Sequence, residues 1–221
     1  MSGVCCTGLA SAIKKDPSGQ RTAAQQRADI SEQRRLWITR RKPFFDKALS
    51  RLIFIDETST NTRLTKRAGW SAKGERYRTH VPFGGWKTQT FVAGLRCHGM
   101  VAPWIVDAPM NTARFELYIE TQLAPELSEG DIVILDNVAF HKSPRAAELV
   151  HERGAWMLPL PAYSPDLNPI EPCWSKLKSR LRAKAARTLD ALDIELGPAL
   201  ATVTAQDAQG WFRLCGYATP N

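Results

Sequence analysis

The chain has 221 residues, 43% of them hydrophobic and 24% charged, which is the mixture of a globular protein and not of a disordered one. That length suits one generous domain, or one domain plus an arm, and no apolar run approaches the roughly 18 residues of a membrane helix. The net charge is +8, of which +7 lies in residues 1–51. Clustered positive charge fits a polyanion such as nucleic acid, although a solvated, Arg-rich helix face would look the same.

Residues 1–20 are a loose leader ending in the turn Asp16-Pro17-Ser18-Gly19. The weakly apolar stretch 4–13 has no basic residues before it and makes a poor signal peptide, so the expected location is the cytoplasm. Residues 23–48 form a polar, Arg-rich helical pattern, with a break expected near Pro43. Leu36, Trp37 and Ile38 are its one strong apolar cluster, as in an arm that docks on something larger. Strand signals follow at 51–55, around Trp70, and at 77–81, 88–97 and 101–106, separated by Gly and Pro. Asn111-Thr112 opens a helix through Leu123. Ile132-Val133-Ile134-Leu135 is a second buried-strand run, Ser143-Pro144 starts another helix, and 155–160 is the next strand. A Pro-rich loop then leads to a basic helix entered at Asn168, with further helices near 188–199 and 205–215. Antiparallel strands, then alternating strands and helices, then helices describe a mixed α/β layer fold.

Both buried runs end in an aspartate. Asp56 follows Leu-Ile-Phe-Ile and Asp136 follows Ile-Val-Ile-Leu, which places each at the carboxyl edge of a sheet, where open α/β folds build their sites. If the two strands are neighbours, the carboxylates converge, repel, and suit a hard cation such as Mg²⁺ or Mn²⁺. The plain alternative for each is an aspartate capping its own turn. A third carboxylate, Glu171, has an alternative of its own. Asn168 at N-cap, Pro169 at N1 and Glu171 at N3 would form a capping box, a role that does not exclude metal binding. Glu57, next to Asp56, points to the opposite face if the strand continues, and stays outside this trio.

Three ordered blocks carry a resemblance. Phe54-Ile55-Asp56-Glu57-Thr58 is the first, and Leu135-Asp136-Asn137 followed by His141-Lys142 is the second. The third is Leu160-Pro161-Ala162-Tyr163-Ser164-Pro165-Asp166-Leu167-Asn168-Pro169-Ile170-Glu171. Together they resemble the signature of DDE transposases, in the branch of bacterial insertion sequences related to the mariner superfamily. The 34 residues between Asp136 and Glu171 are the spacing of that branch. Trp86-Lys87-Thr88 and Cys215-Gly216-Tyr217-Ala218 also resemble it, and the similarity runs from about residue 30 to the C-terminus.

The resemblance implies an RNase H-like mixed sheet flanked by helices over residues 51–221, preceded by a basic helical arm over 1–50. It implies that Asp56, Asp136 and Glu171 are a catalytic triad holding two Mg²⁺ or Mn²⁺ ions, with Asp56 touching both. A metal-activated water would cut a DNA strand, and the freed 3′-hydroxyl would attack target DNA. It also implies a homodimer on paired element ends, associated with the nucleoid when bound to DNA. Such relatives carry about a hundred residues of helix-turn-helix before the first aspartate, whereas this chain has about fifty. The expectation is therefore a catalytic half, joined to an upstream-frame DNA-binding partner, or a truncated, catalytically silent DNA-binding remnant.

Lys142, Lys176, Lys178 and Arg180 are candidates for DNA-backbone contacts, with a solvated surface as the alternative. Asn137 and His141 flank Asp136 and suit orienting a phosphate or a carboxylate, or simply a turn and a helix entry. Trp86 suits base stacking, though packing is the commoner use of a tryptophan. Five scattered cysteines and four histidines show no zinc or disulfide spacing. Gly84-Gly85-Trp86-Lys87-Thr88 lacks the spacing of a P-loop, the segment from Gly69 to Gly74 is too long for a nucleophile elbow, and there is no G-x-G-x-x-G. A glycosidase-type acid pair remains a competing reading, but it needs no metal and leaves the basic arm without purpose.

Overall fold

The apolar run Leu52-Ile53-Phe54-Ile55 is completely buried and begins β1 (Leu52–Asn61), the central strand of a five-stranded sheet. The computed structural model describes residues 27–65, 69–76, 78 and 85–217. On one side β1 pairs antiparallel with β2 (Thr88–Arg96), which pairs antiparallel with β3 (Gly99–Val106). On the other side it pairs parallel with β4 (Ile132–Leu135), and β4 pairs parallel with the short edge strand β5 (Trp156–Pro159). The order β3-β2-β1-β4-β5 is the expected mixed sheet.

Helices cover both faces, and strand alternation sorts the core into two layers. Ile53 and Ile55 face α3 (Thr112–Tyr118), its π-helical continuation Ile119–Leu123, and α4 (Pro144–His151). Phe54 faces α5 (Ile170–Lys184), α6 (Leu189–Leu200) and α7 (Ala205–Leu214). Side-chain caps start four of these helices: Asn111 caps α3, Ser143 α4, Thr188 α6 and Thr204 α7.

The arm is part of the core. It consists of α1 (Ala28–Leu36), a π-helical turn Trp37–Arg41 and α2 (Lys42–Phe45). Pro43 does not break it: the helical backbone runs from the π-helical turn Trp37–Arg41 straight into α2, with Pro43 in the first turn of α2. Trp37, Phe45 and Leu49 are buried with Phe54 and Tyr217 in one cluster, while Ile38 stays exposed.

Two other expectations change, and one is left untested. β1 does not stop at Asp56 but continues through polar residues to Asn61. Trp70 lies in no strand and is fully exposed. The strand expected at 77–81 falls, apart from residue 78, outside the described residues. Among the described residues, no helix is long and apolar enough to cross a membrane.

Candidate active site

Register places the two aspartates together. The parallel ladder of β1 and β4 ends at the pair Ile55–Leu135, so Asp56 and Asp136 are the next residue on each of two adjacent strands. Asp56 lies two residues beyond Phe54 and therefore on the face that carries α5. Glu171 stands in the first turn of α5, a helix seated by buried Ile170 and by Trp174, whose ring meets Phe91 edge-on at 5.3 Å. All three carboxylates line one cleft of about 570 Å³, with Asn137, Lys142 and Tyr163 on its wall.

The capping-box explanation of Glu171 is not realised. Residues Pro165–Leu167 form a 3-10 turn that leaves Asn168 extended, and Pro169 takes the N-cap position without a side-chain cap. The buried Asn168 Oδ1 has no hydrogen-bond partner among the described residues. Glu171 is therefore free of a capping role.

The carboxylates feel one another. Burial pushes Asp56 up to about 8, reinforced by the charges of Glu57, Glu171 and Asp136 and opposed by the Glu57 N–H. Burial likewise raises Glu171, with Lys178 opposing and Asp136 adding to the rise. Asp136 goes the other way: burial would raise it, but the hydrogen bond and charge of His141 and the Val138 N–H hold it low.

His141 does orient a carboxylate, one of the two uses its place beside Asp136 suggested. Its imidazole is buried, with Nδ1 2.7 Å from Asp136 Oδ1 and Nε2 3.4 Å from Glu57 Oε2. Burial disfavours its charged form, yet Asp136 and Glu57 outweigh that and raise it to about 9. Glu57 does point away from the Asp56 side, as alternation requires, but it points at the ring that holds Asp136. The five-residue separation of Asp136 and His141 was the available signal.

Of the candidate backbone-contact cations, Lys142 is exposed on the cleft wall and Arg180 is exposed on α5. Lys178 faces Glu171 closely enough to act on its charge. Lys176 binds Asp207 Oδ2 at 2.5 Å and the Thr202 carbonyl at 2.7 Å, tying α5 to α7. Trp86 is 54% exposed, with the Arg63 guanidinium 4.9 Å over its ring, so it does not serve core packing.

The donor chemistry suits a divalent ion. Oδ1 of Asp56 accepts from the Glu57 N–H, and Oδ1 of Asp136 from His141 and Val138. Each Oδ2 makes no hydrogen bond among the described residues and is a hard oxygen donor. Among those residues, no three acidic, histidine or cysteine side chains close into one ligand group. The carboxylates share a cleft without forming a cage.

The sequence pattern of the DDE superfamily endonucleases matches residues 51–193. The chain belongs to that family. It is 31% identical over 90 residues to the transposable element Tc1 transposase of Caenorhabditis elegans, a match covering 39% of this chain and 33% of that protein. The fold of this DDE superfamily member resembles the Mos1 transposase in its paired-end complex with the left transposon end. That likeness has a TM-score of 0.71 at 16% identity and covers 92% of this chain and 63% of the other. It also resembles the catalytic domain of the Mos1 mariner transposase, with a TM-score of 0.60 at 13% identity, covering 89% and 91%. The sheet thus has the RNase H-like fold of that Mos1 catalytic domain. The match spans about a third of Tc1 transposase and under two thirds of the Mos1 chain in its DNA complex.

Proposed function

We propose that this DDE superfamily endonuclease domain cuts and joins DNA strands as the catalytic part of an insertion-sequence transposase, with Asp56, Asp136 and Glu171 as its metal-binding triad. The observation that carries the reading is the meeting of these three carboxylates, from β1, β4 and α5, in one cleft. There, burial and their mutual repulsion push Asp56 up to about 8. Such repulsion is what cations relieve. When bound, Mg²⁺ or Mn²⁺, two ions in this reading, would activate an attacking oxygen and stabilise a leaving one in phosphoryl transfer.

The chain's own residues supply the rest. The free Oδ2 atoms of Asp56 and Asp136 and the Glu171 carboxylate form the ligand set. Lys142 on the cleft wall suits a DNA phosphate, as do Lys178 and Arg180 along α5, contributing affinity without sequence choice. The proposed substrates are element ends and target DNA, engaged by a homodimer in the bacterial cytoplasm. Choice of ends would rest on an upstream-frame DNA-binding partner.

The test is nicking of linear DNA that carries the flanking element's ends, with Mg²⁺ or Mn²⁺, beside Asp136→Asn. Nicking is expected to need the metal and to fall to background in the variant, whose fold is checked by circular dichroism. Nicking that persists in a chelator, or in Asp136→Asn, would overturn the triad. Salt-dependent DNA binding without any nicking, even with the upstream frame joined, would leave a silent DNA-binding remnant.

A further inference from the structure

The Asp136 carboxylate is held by more than its own turn. Its Oδ1 accepts from the Val138 N–H at 3.2 Å and from His141 Nδ1 at 2.7 Å, while Oδ2 makes no hydrogen bond among the described residues. The His141 ring cannot easily turn. It is packed against Phe115 and Phe140, each with ring centroids 4.6 Å away, and its side chain is 1% exposed. Beyond it stands Glu57, its side chain 22% exposed, with Oε2 3.4 Å from Nε2. Neither of these two facing atoms has a hydrogen-bond partner among the described residues. A buried carboxylate oxygen and a buried ring nitrogen are therefore left with each other.

This arrangement has a consequence for the metal. A carboxylate on a short turn after a strand can swing about its side-chain torsions, and a swinging ligand binds weakly. An imidazole aimed by a second carboxylate fixes one oxygen and presents the other, which is how groups behind metal ligands tune a site. Glu57 directly follows Asp56, so the same relay ties the strand of one aspartate to the carboxylate of the other.

We propose that Glu57 and His141 are positioning residues, with Glu57 aiming the imidazole and the imidazole fixing Asp136 so that Oδ2 is presented to a divalent ion. The inference rests on the triad reading above. Its test measures Mn²⁺ binding by electron paramagnetic resonance on the full chain, alongside nicking across a Mn²⁺ titration. His141→Ala should weaken Mn²⁺ about 10- to 100-fold. It should move the nicking half-point by the same factor, with a smaller change in the rate at saturating Mn²⁺. His141→Asn, whose amide can stand where Nδ1 stands, should recover part of the affinity, and Glu57→Gln should lose less than His141→Ala.

Imidazole NMR of metal-free protein adds a second readout. A slowly exchanging Nδ1 proton is expected in wild type, shifted by Glu57→Gln and lost in Asp136→Ala. Wild-type protein that binds no Mn²⁺ would sink the triad reading and the relay with it. Wild type that binds, beside His141→Ala and Glu57→Gln variants that bind equally, would overturn the relay alone. Should His141→Ala fail to fold, Glu57→Gln and the NMR signal still decide the matter.

Discussion

Asp56 is surrounded by Glu57, Asp136 and Glu171, and its pKa of about 8 makes it a liability to the metal-free fold. An unfolded aspartate titrates near 3.9. Between about pH 4 and 8 the folded chain therefore holds a proton that the unfolded chain has released, and stability must fall as pH rises through that window. Melting curves in chelator should show wild type losing stability from pH 5 to 8, and Asp56→Asn losing less and melting higher at pH 8. A parallel pH dependence in the two proteins would refute the burial of this charge. At this scale much was legible: an aspartate after each of two apolar runs pointed to both residues without any structure. His141 was visible as a candidate beside Asp136, but its contact with Glu57 was not, because strand alternation says which face the Glu57 side chain takes and not what waits there.

Elements are fixed by partners that local sequence shows only in part. Thr204 and Asp207 form a capping box at the start of α7, and the same Asp207 carboxylate takes the Lys176 ammonium from α5. Those hydrogen bonds, Lys176 first, hold its pKa down to about 2. Asp207→Asn keeps the shape but loses the ion pair and weakens the cap. The expected cost is about 1 kcal/mol in urea unfolding, for a pair roughly a quarter exposed. The sign is that of a depressed acid: the contribution is present above pH 4 and disappears as pH falls toward 2. An unchanged unfolding midpoint at pH 7 would show the bridge to be idle. The helix starts at Asn111 and Ser143 were readable because a cap is local chemistry. The true length of β1 was not, since polar residues end its apolar run. Only the alternation of buried Thr58 and Thr60 with exposed Ser59 marks the strand beyond Asp56. Asn168 misled for the converse reason. Its spacing suits a capping box, but the 3-10 turn before it settles the backbone first.

At the scale of the whole molecule, three segments far apart in sequence meet behind Glu171. The Trp37 indole N–H donates to the Tyr217 hydroxyl at 3.1 Å, which donates to the Leu167 carbonyl at 2.9 Å. Nearby, Arg34 grips Asp166 with both guanidinium nitrogens at 2.9 and 2.6 Å, and Ser164 at 2.7 Å. The arm and the C-terminal segment thus hold the loop that feeds α5, and with it the first-turn carboxylate. No periodicity in the sequence could announce pairs 130 and 180 residues apart. The arm's apolar cluster said only that it docks somewhere. Tyr217→Phe leaves a buried indole N–H and a buried carbonyl without partners, which should cost about 1–3 kcal/mol. Arg34→Ala should cost about 1 kcal/mol or less, because Asp166 is half exposed. Both grips act on one loop, so the double variant should depart from the sum by about 0.5 kcal/mol or more in a double-mutant cycle. Nicking should weaken in step, since a loosened loop lets Glu171 drift. Additive losses in stability with unchanged nicking would mean that the arm merely adds core, and that the loop needs no second anchor.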